Sequence, residues 1–408
     1  CSTKSSNKPR PRRTKTVSMQ PITVLHLING FADASIERII LNFVTHLGTQ
    51  EYHWHVLGLT GGTLLAEFKK AGAVAVDLSL PENAVLSPTA FIRRYLQQHP
   101  ADILHTHTIK SILLGARACA GQKEPPFHIA TKHILTRPSE RRHGLFYAAA
   151  DRLALYLPNH LVAVSDFMRA QILALPGIQE TKVTTIRNAI RTQDYFCPHV
   201  RADCRADWGI APTTLAVGFM GRIVQAKRLD ILLTSFAAFH QAHPDSVLIL
   251  AGDGDQRPTL QALAQSLQIA NSVLWLGFIQ DIPRMLAGLD IFVQPSVNEG
   301  LSLSLLEALA AGKAVIATDV GGTAEVLDQN RNGLLIPAGS PQALTAALIQ
   351  MADQPDQAAG FAHSGRAYVE QHFNLQQMLS SYDRLYRAAA SPSGSSQPAA
   401  QFPPRTTR

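Results

Sequence analysis

Short apolar runs recur along this chain, and longer stretches with helical spacing of apolar residues lie between them. In the first half the runs cover 23–28, 54–59, 73–79, 103–107, 128–134, 161–165 and 183–188. In the second half they cover 215–221, 247–252, 273–277, 291–296, 314–320 and 334–337. Strands that alternate with helices predict parallel sheets covered on both faces. Thirteen strands exceed one ordinary sheet, so the pattern predicts an α/β protein of two doubly wound, Rossmann-like domains. The polar stretch 192–212, with Pro198 and Pro212, reads as the connection between them. The expected boundaries are 19–196 for the first domain, 197–212 for a linker and 213–372 for the second domain. Ligands in such domains bind beyond the C-terminal strand ends, where the topology switches, so two facing domains imply an interdomain cleft.

The candidate chemistry falls at those strand ends. Glu299 and Glu307 bracket Gly300-Leu301-Ser302-Leu303-Ser304-Leu305-Leu306. Eight residues at about 100° per step leave the two acids roughly 80° apart on a helix, so a bent element fits better than one helix carrying both. The run 291–296 is broken by Pro295, and 303–311 reads as a Leu/Ala helix stopped by Gly312. Glu299 is then expected in the loop and Glu307 about one turn into the helix. The amides around Gly300, Leu301 and Ser302 form an anion site, with a carboxylate on either side to grip hydroxyls. Phosphate with hydroxyls describes a nucleotide sugar. An amphipathic helix with two solvated acids is the alternative.

After 215–220 comes Gly221-Arg222-Ile223-Val224-Gln225-Ala226-Lys227. The glycine permits a sharp exit, and Arg222 and Lys227 place two cations near the next helix, suited to a departing diphosphate. A solvated pair near a loop is the other reading. Asp253 and Gly254 lie in Ala251-Gly252-Asp253-Gly254-Asp255, which resembles an acidic metal motif but fits a tight turn better. Gly277 and Phe278 close the next strand where a base could rest, and Gly321-Gly322-Thr323 makes another turn. In the first domain Gly30 offers backbone approach to a phosphate, although it is the loop's single glycine. His105, His107 and His133 stand at strand ends as sugar or acceptor contacts, with a structural role open for each. Arg137, Arg141, Arg142 and His143 follow as a basic loop where an anionic or lipid-linked acceptor is expected.

Charge changes this picture modestly. The net charge of +7 is concentrated in the tails, since Lys4, Lys8, Arg10, Arg12, Arg13 and Lys15 face no acid within 1–18 and Arg405 and Arg408 close the chain. Residues 19–198 hold 17 Lys/Arg against 13 Asp/Glu, and residues 199–390 hold 12 against 17. A basic first half suits peripheral contact with an anionic membrane or acceptor, and scattered solubilising charge explains it as well. Both tails, 1–18 and 389–408, read as disordered. No aromatics interleave with the basic residues of the first, so no nucleic-acid partner is expected. Cys1 could carry a lipid, but an upstream extension or fragment end before Met19 fits better. The four cysteines show no metal spacing, and no run reaches membrane-span length, so the expected setting is cytoplasmic.

The ordered set GRIVQAKRLDILL, LILAGDGD, VLWLGF, PSVNEGLSLSLLEALAAGKAVIATDVGG and NGLLIPA resembles glycosyltransferase family 4, the group 1 retaining transferases of GT-B fold. The resemblance covers about residues 22–388 and is most specific over 218–337. It implies that Arg222 and Lys227 hold the donor diphosphate, Glu307 the ribose, and Glu299 the sugar hydroxyls. Gly300, Leu301 and Ser302 would supply amides, and His133 would face the donor sugar. It also implies a metal-independent hexosyltransferase with a nucleotide diphosphate sugar as co-substrate, no cofactor, and a glycan or lipid-linked glycan acceptor, as in lipopolysaccharide or cell-surface polysaccharide synthesis. His372-Phe373 and the helix through Tyr382, Leu385 and Tyr386 resemble the segment, here 373–388, that crosses back to the first domain. The first domain departs from the family: Ala34-Ser35-Ile36 stands where a glycine pair precedes the acid at Glu37, and Asn188-Ala189-Ile190-Arg191 replaces the usual Asn-Gly motif. Two alternatives follow, an epimerase of nucleotide sugars on the same fold and a non-catalytic nucleotide-sugar-binding subunit.

Overall fold

A computed structural model describes residues 20–79, 88–135, 144–328 and 331–391. The basic loop Arg137, Arg141, Arg142 and His143, the tail 1–18 and residues 392–408 lie outside the described residues.

The first sheet comprises β1 (Ile22–Ile28), β2 (Tyr52–Gly58), β3 (Val74–Asp77), β4 (Ile103–Thr106), β5 (Phe127–Lys132), β6 (His160–Ala163) and β7 (Val183–Thr185). All its pairings are parallel, in the order β3-β2-β1-β4-β5-β6-β7. The second sheet comprises β8 (Leu215–Met220), β9 (Ser246–Ala251), β10 (Val273–Gly277), β11 (Ile291–Gln294), β12 (Ala314–Thr318) and β13 (Leu334–Ile336). It too is parallel, in the order β10-β9-β8-β11-β12-β13. The protein is therefore an α/β molecule with two doubly wound sheets. The order reverses between β1 and β4 in one sheet and between β8 and β11 in the other, and those crevices are where such sheets take ligands.

The strands read as continuous apolar runs because both faces are covered. In β8, Val217 and Phe219 enter one core of the second sheet, while Ala216 and Met220 enter the core on its opposite face. The apolar runs overshoot the ladders. The run 128–134 stops pairing at Lys132, and 291–296 stops at Gln294, before Pro295, which has no N–H to donate.

The polar stretch between the sheets is more ordered than a linker. Helix Arg201–Asp207 forms within it. Buried Arg205 donates to the carbonyls of Gly288, Pro212 and Thr214 and pairs with Asp290 at 2.5 Å. This segment is thereby fastened to the second sheet's domain. At the other end, helix Pro355–His372 lies against helix Leu303–Ala310, and the chain then returns. Ile190 and Leu375 exchange backbone bonds with Phe373 and Ile190, and helix Leu375–Ala390 buries Leu379, Tyr382 and Tyr386 in the core under β1 and β2.

Candidate functional site

β8 and β11 deliver the principal groups at the second switch point. β8 ends in Gly221 and exposed Arg222, and Lys227 closes the 3-10 turn Gln225–Lys227. The loop after β11 is tied to that turn by the Val297 amide, which donates to the Ala226 carbonyl at 2.9 Å. Lys227 Nζ thereby reaches Glu299 Oε1 at 2.5 Å, with both side chains mostly buried.

Beyond Glu299 the loop enters helix Leu303–Ala310. Ser302 caps it, accepting from the Leu305 amide, and its hydroxyl donates to Gln294 Oε1 at 2.7 Å. The amides of Leu301, Ser302 and Leu303 find no backbone acceptor among the described residues, as a helix start dictates. With Lys227 held at Glu299 next to them, these amides are open to an anion. Gly300 is required by close approach: a Cβ there would collide with the carbonyl oxygen of His133, which comes from the other sheet. His133 therefore meets this loop through its backbone, while its ring lies against His107.

Glu307 lies within the helix, one turn below those amides. The Tyr195 hydroxyl donates to its Oε1 at 3.0 Å. Burial pushes the Glu307 carboxyl up to about 7, against the opposing influence of Tyr195 and Arg38. Glu37, in helix Ser35–His46 of the first domain, is also pushed up to about 7 by burial, while Arg222 across the cleft draws it down. Two hydrogen bonds clamp the domains alongside: Asn188 Nδ2 to the Leu301 carbonyl at 2.9 Å and Asn298 Nδ2 to the Leu135 carbonyl at 3.1 Å.

The structure thus brings Arg222, Lys227, Glu299, Gly300, Leu301, Ser302, Glu307 and His133 around one cleft. Gly221, Asp253, Gly254 and Phe278 sit at the neighbouring strand ends. Asp253 Oδ1 accepts from the Gly254 amide at 2.8 Å, and the side chain of Phe278 is exposed beside Gly277. Gly30 does not join them: its open side is filled by Thr60 Oγ1, so packing within the first domain accounts for that glycine.

Tyr195, Arg38, Asn188 and Asn298 are additions that sequence reasoning missed. Tyr195 lies in the polar stretch 192–212 between the sheets, and Arg38 influences Glu307 only through the docking of two domains. No local pattern marks either.

Among the described residues, one cluster has metal-ligand proximity, buried His26, His105 and His107 below the cleft. Its ring nitrogens are largely committed. His105 bonds the Tyr386 hydroxyl and Thr131 Oγ1, both at 2.7 Å, and His107 bonds His26 and His133.

Two family profiles match. One, described as glycosyl transferases group 1, covers residues 200–368, and another, glycosyltransferase family 4, covers residues 36–194. The chain is 30% identical to the lipopolysaccharide core biosynthesis mannosyltransferase LpsB of Rhizobium meliloti, over 62% of this chain and 72% of that protein. It is 29% identical to the alpha-maltose-1-phosphate synthase of Mycolicibacterium smegmatis, over 70% of this chain and 79% of that protein. Among solved structures it is similar to Anabaena HepE in complex with UDP-glucose, with TM-score 0.79 at 20% identity over 90% of this chain and all of that one. It is also similar in fold to WaaG, a glycosyltransferase of lipopolysaccharide biosynthesis, with TM-score 0.74 at 17% identity over 90% of this chain and 99% of that one.

Proposed function

The chain belongs to glycosyltransferase family 4, the group 1 glycosyl transferases of GT-B fold, and from that premise we propose that it transfers a hexose with retention of configuration and without a metal ion. Its reaction is nucleotide-sugar-dependent glycosyl transfer. The proposed acceptor is a glycan or lipid-linked glycan. The observation that carries the reading is the β8–β11 crevice, where two cations and the open amides of one helix start are flanked by Glu299 and Glu307.

In this reading Arg222 and Lys227 neutralise the diphosphate as its bond to the anomeric carbon breaks, the work a divalent ion does in other transferases. Leu301, Ser302 and Leu303 donate amides to the phosphate or sugar. Glu307 accepts from ribose hydroxyls, Glu299 from sugar hydroxyls, and His133 faces the sugar. Asp253, Gly254 and Phe278 line the base end. No buried carboxylate is assigned as nucleophile, so the acceptor oxygen attacks from the face the phosphate leaves. Its proton passes to the departing phosphate oxygen.

Arg222→Ala and Lys227→Ala should each cost about 2–4 kcal/mol of transition-state stabilisation, read as kcat/KM. The complexes of HepE with UDP and UDP-glucose make a uridine diphosphate sugar the first donor to test by thermal shift. Full turnover by the Arg222→Ala/Lys227→Ala double variant would remove the diphosphate assignment, and an inverted product by NMR would remove retention. Loss of activity in EDTA, restored by a divalent ion, would remove metal independence. The relatives are transferases or synthases by name, which does not favour the epimerase alternative.

Among the described residues no helix is long and apolar enough to cross a membrane. A lipid-linked acceptor nonetheless fits the surface of helix Gly144–Ala154 and the turn after it. There Leu145, Phe146 and Leu153 are 77%, 72% and 67% exposed, with Leu157 beside them. The helix's one acid, Asp151, is buried against Lys132, which leaves exposed Arg152 as its outward charge. An apolar face with a cationic flank suits peripheral docking on an anionic bilayer at the cytoplasmic side. Phe146→Ser/Leu153→Ser should reduce co-sedimentation with anionic vesicles, and unchanged partitioning would exclude this face.

A further inference from the structure

A row of neutral imidazoles runs beneath the cleft. His26 Nδ1 lies 3.1 Å from His107 Nε2, and His107 Nδ1 lies 3.4 Å from His133 Nε2. Burial holds all three uncharged at neutral pH: His26 and His133 are pushed down to about 3, and His107 well below its ordinary value. Each neutral ring has one N–H and one lone pair, so the proton position on one ring dictates the next.

Two directions are open to the row, and its buried end decides between them. Among the described residues, His26 Nε2 is buried without a partner. If protons pointed from His133 toward His26, that nitrogen would carry an orphaned N–H, the costlier and rarer defect in a protein interior. If His26 carries its proton on Nδ1, the orphan is only a lone pair. His26 then donates to His107 Nε2, and His107, protonated on Nδ1, donates to His133 Nε2. The remaining proton of His133 sits on Nδ1, which has no partner among the described residues. His105 packs against His107 at a tilt, with ring centroids 4.2 Å apart, but its own bonds to Tyr386 and Thr131 keep it out of the row.

We infer that His26 and His107 are positioning residues that fix His133 in the Nδ1–H tautomer, so that His133 meets the donor sugar as a hydrogen-bond donor. The contact with sugar rests on the proposed role of His133. The tautomer does not, and it is measured without ligand.

The test is a two-bond 1H–15N correlation spectrum of the full chain labelled with 15N-histidine, with His133 identified by its loss in His133→Gln. The wild type should show His133 protonated on Nδ1. His107→Phe keeps an aromatic ring but removes the donor, so the Nε2–H form of His133 should appear. His107→Asn, whose amide N–H stands near the place of Nδ1–H, should restore the original pattern. His26→Phe provides the second arm should His107→Phe not fold, and it should likewise release His133. A wild-type His133 protonated on Nε2, or no change in either Phe variant, overturns the relay. In turnover, His107→Phe should lower kcat/KM about tenfold, with recovery in His107→Asn. A tautomer change with unaltered kcat/KM would keep the relay and overturn the role of His133 toward the sugar.

Discussion

Glu307 carries two demands that pH separates. In the ligand-free protein burial favours its protonated form, but a carboxyl that accepts from two ribose hydroxyls does so best when ionised. Donor binding should therefore expel a proton below about pH 7, and affinity should rise with pH until that point and then level. Each pH unit below it costs up to tenfold. Calorimetry in buffers of different ionisation heat reads the proton directly, and Glu307→Gln should abolish the Glu307 share of it. Glu37 titrates in the same range, so Glu37→Gln is the necessary control. The two acids' share of stability without ligand runs the other way. Both folded-state values are raised, so the stabilisation is complete below about 4.5 and is lost as pH rises through about 7. The buried neutral histidines His26, His107 and His133 act in the opposite sense below about 6.5 and outnumber the two acids, so the melting temperature should rise across that window, and more steeply in either Gln variant. Glu299, Arg222 and Lys227 were legible as single residues because each follows a strand end in a short, nearly fixed geometry. The environment of Glu307 was not. Tyr195 and Arg38 approach it from segments more than a hundred positions away and favour its ionisation, while burial in the fold outweighs them.

Elements were legible where burial imposes their pattern and illegible where a few polar bonds do. All thirteen strands occur near their apolar runs, because a parallel strand covered on both faces leaves no polar alternation to misread. Helix Arg201–Asp207 has the sequence RADCRAD, whose composition suits a loop as well. What orders it is Arg205, held by several carbonyls and by Asp290, which itself accepts from the Ala216 amide at the start of β8. Arg205→Ala should cost about 2–3 kcal/mol in denaturant unfolding, discounted for the partial exposure of Asp290. The Glu299–Leu303 bend is constrained differently. Gly300→Ala should push the loop off the His133 carbonyl, with Val164 Cγ2 at 3.2 Å closing the other exit. A loss of about 1–3 kcal/mol is expected from that overpacking, with a drop in kcat/KM as the helix amides shift. Unchanged activity would mean the joint can open without disturbing those amides.

At the scale of the whole molecule the two sheets are not independent folding units. The contiguous segment expected as a first domain, 19–196, omits helix Leu375–Ala390, which completes the core of that domain. Leu375, Met378, Leu379, Tyr382, Leu385 and Tyr386 are all buried there, and the Tyr386 hydroxyl bonds His105 beneath the cleft. Six such side chains, at about 1.5–3 kcal/mol each, match the entire stability of an ordinary domain, about 5–15 kcal/mol. The helix is joined through Phe373 to Pro355–His372, which packs on the second domain, so neither core can come apart without pulling on the other. The full chain should therefore melt in a single calorimetric transition. Removing residues from 374 onward should abolish the first-domain part of that transition and leave the second-domain part melting alone. A fragment ending at 196 should bind a separate peptide of residues 373–391 and gain helical signal in doing so. Two resolved transitions in the full chain, or a stable first-domain fragment without the peptide, would show that the returning helix is an accessory and not a structural member of the first core.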